Sequence, residues 1–314
     1  MKRIFILITG MLLLGAIGWA EESIMIDFGQ LIPDSDEYPG QHEQTIIDFS
    51  DVPIAQLPEE DREQMRTSLA IENWEVLLAS SSRRMDNLSN SYVRMAEVRE
   101  DARQFAGEAA MGVRVRFPES AYNSWALVRP PFEIPGFDPE RRFDGFGVVR
   151  NTGSIRQIRV NVYGLNFPHR LSILLMDENN RVQEIMLGDL EFDGWNTLVW
   201  DNPNYIEDVR NRELRVMPRY PASQPLQKFD GFRIYRDKEA IGGDFVTYVK
   251  DVTLVYDLAE LDEERDIDHE ELWGILSERE EQRRQAELSR LGRIQSLRFI
   301  EERRMDDTLN GPLD

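Results

Sequence analysis

The sequence predicts a mostly β protein, an antiparallel β-sandwich of jelly-roll type that ends in a long C-terminal α-helix. Three observations predict it. Short runs of alternating apolar and polar residues recur at a spacing of roughly ten residues between Trp74 and Tyr256. Gly, Pro and Asn punctuate these runs, and no helical pattern lies between them. After Leu258 the text becomes a charged helix, with Asp and Glu at its start and Arg toward its end.

The elements follow in chain order. Residues 1–20 read as a secretory signal peptide: Lys2 and Arg3, an apolar stretch from Ile4 to Ile17, then small residues at Gly18 and Ala20. Cleavage is expected near Glu21, and without a Cys after the apolar run no lipid attachment is expected. No later segment approaches the ~18 to 20 apolar residues of a membrane span, so no membrane insertion is expected after cleavage. Residues 21–70 read as an acidic N-terminal arm. Twelve acidic residues and no Lys or Arg lie between Glu21 and Asp61, interrupted by Pro33, Pro39, Pro53 and Pro58. That composition predicts loose order, although Ile24–Ile26 and Thr45–Phe49 have the character of short edge strands.

Residues 71–258 hold the sandwich. Strands are predicted at 74–78, 111–117, 124–129, 146–149, 155–164, 171–176, 181–187, 195–200, 229–235 and 245–256. Residues 91–105 fit either a short helix or a loop. Pro130-Pro131 closes one strand because proline cannot donate to a ladder. Asp177-Glu178-Asn179-Asn180 predicts a hairpin, since Asn tolerates positive φ. The octets FDGFGVVR at 143–150 and FDGFRIYR at 229–236, with FDGW at 192–195, read as a repeated strand-start device. Asp144-Gly145, Asp193-Gly194 and Asp230-Gly231 would supply the turn or bulge. Residues 259–314 form a charged helical extension; one continuous helix over 268–304 would be about 55 Å long. Its second apolar cluster contains Leu288, Leu291 and Ile294, which fit either the helix's own sandwich or a neighbouring subunit.

Composition narrows the function. The formal charge is −21, and losing Lys2 and Arg3 with the leader leaves 35 basic against 58 acidic residues, a net of −23. Such a surface repels phosphate backbones, so nucleic acid is not an expected partner. Only Lys228, Lys238 and Lys250 remain as lysines; Arg supplies the other cations, a bias that fits protein interfaces or simple genomic composition. With no cysteine, an exported chain of this kind relies on its core rather than on disulfides.

No catalytic site emerges. Nucleophile elbows and phosphate-binding glycine loops are absent, and the three histidines, His42, His169 and His269, are widely separated without Cys to complete a zinc site. Asp144 and Glu191 have only their position near strand ends to recommend them as a carboxylate pair, and Asp177–Asn179 suit a turn better than calcium. No catalytic, cofactor or metal residue is therefore assigned. Among Trp125, Trp195, Trp200, Tyr163 and Tyr205, the residues chosen as candidate interface are Trp195, Trp200 and Tyr205, with Leu288, Leu291 and Ile294 from the helix. Trp195 and Trp200 lie five apart on one strand and so face opposite ways.

One resemblance gives these features a context. Residues 163–206, YGLNFPHRLSILLMDENNRVQEIMLGDLEFDGWNTLVWDNPNYI, and 219–259, RYPASQPLQKFDGFRIYRDKEAIGGDFVTYVKDVTLVYDLA, resemble the spirochaete flagellar filament outer-layer, or sheath, family called FlaA. The resemblance spans roughly residues 110 to 257 and rests on the order of YGLNFPH, GDLEFDGW, WDNPNYI, the Tyr220-Pro221 pair and GDFVTYVKD. It implies a jelly-roll-like, exported, non-enzymatic protein of the periplasmic flagellum. Its expected partners are the flagellin core filament and other sheath subunits, either copies of itself or a related paralogue. The implied role is to coat the core and set filament stiffness and curvature for motility. The alternative is a periplasmic carbohydrate-binding module that recognises peptidoglycan or another glycan through surface aromatics.

Overall fold

A computed structural model describes residues 20–32, 45–49, 65–120, 123–205, 220–240, 242–260 and 266–310. The expected signal peptide therefore lies, but for Ala20, outside the described residues. The described strands, in chain order, begin with β1 (Ala20–Asp27), β2 (Ile47–Asp48), β3 (Arg66–Thr67), β4 (Glu75–Leu78) and β5 (Tyr92–Glu97). Next come β6 (Ala109–Arg116), β7 (Ser124–Arg129), β8 (Val148–Arg150), β9 (Thr152–Leu165) and β10 (Arg170–Asp177). The last are β11 (Val182–Asp189), β12 (Asp193–Asp201), β13 (Leu226–Arg236) and β14 (Asp244–Leu258). Helices are α1 (Met85–Ser89), α2 (His269–Trp273) and α3 (Ile275–Asn310).

Two antiparallel sheets make the predicted sandwich. The first runs β12-β9-β14-β6-β5 with β1 also on β14, and the second runs β11-β10-β13-β7-β4 with β8 also on β13; β2 and β3 form a separate pair. Alternation decides which side chains enter. On β9, Ile158, Val160 and Val162 are fully buried, whereas Arg159, Asn161 and Tyr163 alternate with them on the outer face. Phe28, Trp74, Phe229 and Phe232 meet between the sheets with ring centroids 4.9–6.2 Å apart. Aromatic pairs at these separations add stability beyond the area they bury.

The acidic arm is ordered at its beginning, contrary to the expectation of loose order. β1 pairs along the second half of β14, whose 15 residues serve β6 at one end and β1 at the other. Met25, Ile26, Phe28 and Leu31 enter the core, while Glu21, Glu22 and Ser23 remain outside. Composition misled because Glu21 and Glu22 occupy the exposed start of the strand, whereas Met25 and Ile26 in its second half are buried. The ambiguous stretch 91–105 is neither helix nor simple loop: it supplies β5 and then a connection closed by hydrogen bonds from Val98 N to Glu108 O and from Gly107 N to Val98 O.

The long helix is also broken. Gly274 sits in left-handed backbone at φ 62° between α2 and α3. Asp268 caps α2 through the Glu270 and Glu271 amides, and the Glu270 carboxylate receives the first free amides of α3, from Leu276 and Ser277. Those two amide bonds hold the Glu270 carboxyl below the usual range.

The three Asp-Gly devices take two forms. Gly145, at φ 78°, turns the chain just before β8, and Gly194, at φ 93°, opens β12, both as strand starts. Asp230-Gly231 instead forms a bulge inside β13: Leu174 pairs with Gly231 and Leu175 with Phe229, so Asp230 is the extra residue. The bulge replaces a strand start there because Leu226–Lys228 already pair with Arg150–Val148 ahead of it. The two octets meet, Phe229 N donating to Gly147 O at 2.8 Å. They are adjoining parts of one junction.

Candidate functional site

A cleft of about 710 Å³ opens on the outer face of the first sheet, beneath the 98–107 connection. Register builds its floor: Trp195 on β12 pairs with Tyr163 on β9, Tyr163 pairs with Tyr248 on β14, and Tyr248 pairs with Gly112 on β6. Three aromatics therefore stand side by side on neighbouring strands. Tyr163 meets Trp195 edge-to-face at 5.4 Å and Tyr248 at 5.9 Å. Gly112 lets the last ring lie down on the sheet, since a Cβ there would be 3.1 Å from Tyr248 Cε1. From the connection above, Phe105 packs edge-on to Trp195 at 4.8 Å. Phe105 holds φ 56°, a left-handed conformation that bulky residues adopt only when their surroundings enforce it.

Polar groups complete the lining. Glu97 comes from the end of β5 and Arg99, Arg103 and Gln104 from the connection, and Arg99 is held by a bidentate pair with Asp101. Beyond Gly112, Arg94 stacks on Tyr92 at 4.8 Å. Below the aromatic row, Thr197 donates to Asn161, which donates to both oxygens of Asp251 at 2.9 and 3.0 Å. Burial pushes the Asp251 carboxyl above its ordinary range against the lowering effect of Asn161.

The structure separates the predicted interface residues. Trp195 faces the cleft. Trp200 turns the other way and packs partly buried against the core, so it is no outer-face anchor, as the odd spacing from Trp195 requires. Tyr205 is tied down by its own fold, its hydroxyl donating to Asp257 at 2.9 and 3.0 Å. On α3, Leu291 is 2% exposed and joins the core, whereas Leu288 and Ile294 face outward. A helix laid along a sandwich buries only one stripe, so the apolar cluster is divided. Sequence reasoning passed over Phe105 and Tyr248. Tyr163 shares the parity of Arg159 and Asn161, a legible sign of outward placement, but nothing in the sequence announced that the connection folds back over it.

α3 is fastened by a buried ion cluster. Lys228, 2% exposed, donates to Glu133 at 2.6 Å and to Glu287 of α3 at 2.9 Å. Glu287 also accepts the Gly136 and Phe137 amides at 3.1–3.2 Å, and Arg290 grips Glu133 with two bonds of 2.6 Å. Burial raises the Glu133 carboxyl, but Arg290 and Lys228 outweigh it and hold it below the usual range. Gln295 and Arg298 reach Pro131 O, and Arg298 also pairs with Glu75.

The weak chemical candidates have structural duties. Asp177 accepts the Asn179 and Arg181 amides and Asn180 takes φ 59°, the predicted hairpin turn. Asp144 pairs with Arg150 at 2.8 Å. His169 is buried among Phe117, Phe167 and Phe245, and burial lowers its pKa. His42 lies outside the described residues. Among the described residues no group of three or more His, Asp or Glu side chains is placed to hold a metal, and no helix is long and apolar enough to cross a membrane.

Fold and site together define a β-sandwich protein whose distinctive features are surfaces, an aromatic cleft and a clamped helix. Comparison with known proteins gives the family. The sequence profile described as flagellar filament outer layer protein Flaa matches residues 39–265, and the chain belongs to that family. It is 44% identical to the flagellar filament outer layer protein of Spirochaeta aurantia over 97% of this chain and 94% of that one. Identity to the protein of that name from Treponema pallidum is 40% over 97% and 95% of the two chains. Among solved structures, a carbohydrate-binding module bound to β-1,4-galactotriose aligns with 59% of this chain and 88% of its own, at 10% identity and a TM-score of 0.28. A likeness of that size carries no argument about ligands.

Proposed function

We propose that the chain is a structural subunit of the outer layer of the flagellar filament, exported to the periplasm, where it coats the flagellin core beside other sheath subunits and sets filament stiffness and curvature. Membership of the outer-layer family, with relatives aligned over nearly the whole chain, is the observation that carries this reading. The surface is compatible with lateral assembly. Trp273, 67% exposed, with Leu272 on α2, Ile267 just before it, and Ile294 and Leu297 on α3, leaves apolar side chains exposed beyond the sandwich. A coat needs only modest affinity at each contact, because many copies on one lattice add by multivalency.

The test is to isolate periplasmic flagella from cells with and without the gene. The protein should remain through washing and leave only under dissociating treatment, and filaments lacking it should be thinner and differently curved. Its absence from washed filaments, or unchanged diameter and curvature without it, would overturn the proposal. Catalytic turnover on glycan or peptide substrates is not expected.

A further inference from the structure

We infer that the cleft formed by Trp195, Tyr163 and Tyr248 beneath the 98–107 connection is a binding site for a neutral oligosaccharide. Its volume, about 710 Å³, falls within the range of ligand sites, and its make-up is mixed in the way such sites are. The floor is aromatic. Three rings on adjacent strands, with centroids 5.4 and 5.9 Å apart and neighbouring planes at 79°, form a row of alternating faces and edges that is longer than a single sugar ring. The C–H face of a pyranose stacks on aromatic faces while its equatorial hydroxyls project sideways toward hydrogen-bonding groups. Glu97, Arg103 and Gln104 supply both donors and acceptors along the opposite wall, and none of the three makes an ion pair or side-chain hydrogen bond among the described residues.

Charge points the same way. The ionisable lining residues Glu97, Arg99 and Arg103 sum to +1 in a chain of formal charge −21, so the lining is nearly neutral within a strongly acidic protein. Neither a highly cationic nor a highly anionic ligand is specified. The site is also preorganised. Trp195 is held between Phe105 and Tyr163, the connection above is closed by its own backbone bonds, and Phe105 accepts left-handed backbone to reach the indole. Rigid aromatic groups lose little conformational freedom on binding, which favours affinity. A sheath subunit so equipped would hold a glycan as well as protein neighbours, whether that glycan belongs to the cell wall or decorates a filament protein.

The test uses purified protein in calorimetric titrations with chitotriose and cellotriose, and in co-sedimentation with peptidoglycan sacculi. Binding of at least one probe in the micromolar to millimolar range is expected, weakened at least about tenfold by Trp195→Ala and by Tyr248→Ala. Because those rings also pack on neighbours, Arg103→Ala/Gln104→Ala is made in parallel; both residues are exposed, so this variant should fold normally and still bind about tenfold more weakly. Retention on sacculi, against retention on core filaments before but not after chemical deglycosylation, separates the two sources. The inference fails if none of the sugars, sacculi or glycosylated filaments binds, or if all cleft variants bind like the wild type. It fails also if cleft substitutions change only self-association. The titrations do not involve sheath assembly, so their failure leaves the sheath proposal standing, and the reverse holds.

Discussion

Glu287→Ala tests how α3 is held. The carboxylate accepts Lys228 at 2.9 Å and two backbone amides at 3.1–3.2 Å, in a site where Lys228 and Glu287 are both buried. Removing one partner of a buried ion pair costs about 3–5 kcal/mol. Here Lys228 keeps Glu133 as counter-charge at 2.6 Å, which places the loss near the lower bound, about 3 kcal/mol. For a domain of this size each kcal/mol lowers Tm by about 2–4 °C, so a global effect would be about 6–12 °C. Should α3 detach as a unit, the loss will show instead as roughly hundredfold faster amide exchange across residues 283–299 with a smaller change in Tm. Urea unfolding and hydrogen exchange read both. Lys228→Met/Glu287→Leu should recover most of the loss, because apolar residues of similar size remove the unpaired charge. A cost below about 1 kcal/mol together with unchanged exchange on α3 would refute the reasoning.

Gly231→Ala and Gly145→Ala both add a methyl at positive φ, but only the former, at φ 143°, meets Val128 O at 2.3 Å, whereas Gly145 opens to free space. Urea unfolding should show a loss of about 1 kcal/mol at Gly145 and a clearly larger one at Gly231. Asp230→Asn should stabilise the fold at neutral pH, since burial holds the native carboxyl above its ordinary value despite Arg129. A raised native pKa means that ionisation disfavours the folded state above the unfolded pKa and that protonation relieves it in acid, so the gain should vanish as pH falls through the native value. Equal stability of mutant and wild type at all pH values would contradict this. Trp200→Ala, which strips a ring from the core, should cost about 3 kcal/mol by thermal or urea unfolding, more than Trp195→Ala at the cleft.

The sandwich was legible because period-two alternation is a local signal: Ile158, Val160 and Val162 point one way whatever their partners are. Ser124–Arg129 was bounded to the residue, since Pro130-Pro131 ends the ladder. The pairing order was not legible, and β1 shows why. Its acidic composition argued for a tail, but β14 extends past β6 and offers Asp251–Asp257 for pairing, a position and register that nothing in the N-terminal sequence reveals. The cleft was half legible. Outward placement of Trp195 and Tyr163 follows from parity, whereas the cover over them depends on backbone hydrogen bonds within 98–108 and on positive φ at Phe105, a residue with no such preference. Helix termination at Gly274 was signalled by the glycine itself, yet the apolar residues on both sides read as one helix.

The scarcity of lysine acquires a meaning from the structure that counting did not supply. Lys228 and Lys250 are buried, and each joins two carboxylates from separate parts of the chain: Glu133 and Glu287 for the first, Asp27 and Glu108 for the second. A compact ammonium reaches between two carboxylates without the planar demands of guanidinium. One node fastens α3, the other fastens the end of β1, so both ends of the described chain are fixed to the sandwich by charge as well as by apolar contact. Gly29 makes the second node accessible, because a Cβ there would lie 2.2 Å from Lys250 Nζ and 2.8 Å from Ala109 O. Burial lowers the Lys250 pKa, but Asp27 and Glu108 more than offset it, leaving it raised. Its contribution is therefore complete below the unfolded lysine value and lost only as pH rises through the native one, while that of Glu133, whose pKa is depressed, is complete above the unfolded carboxylate value and lost in acid. Across neutral pH both ends stay attached; acid should free α3 before it disturbs the sheets, and Gly29→Ala should free β1 at neutral pH. Hydrogen exchange resolved by segment decides it: uniform loosening of the whole sandwich under either perturbation would show that the two nodes do not act locally.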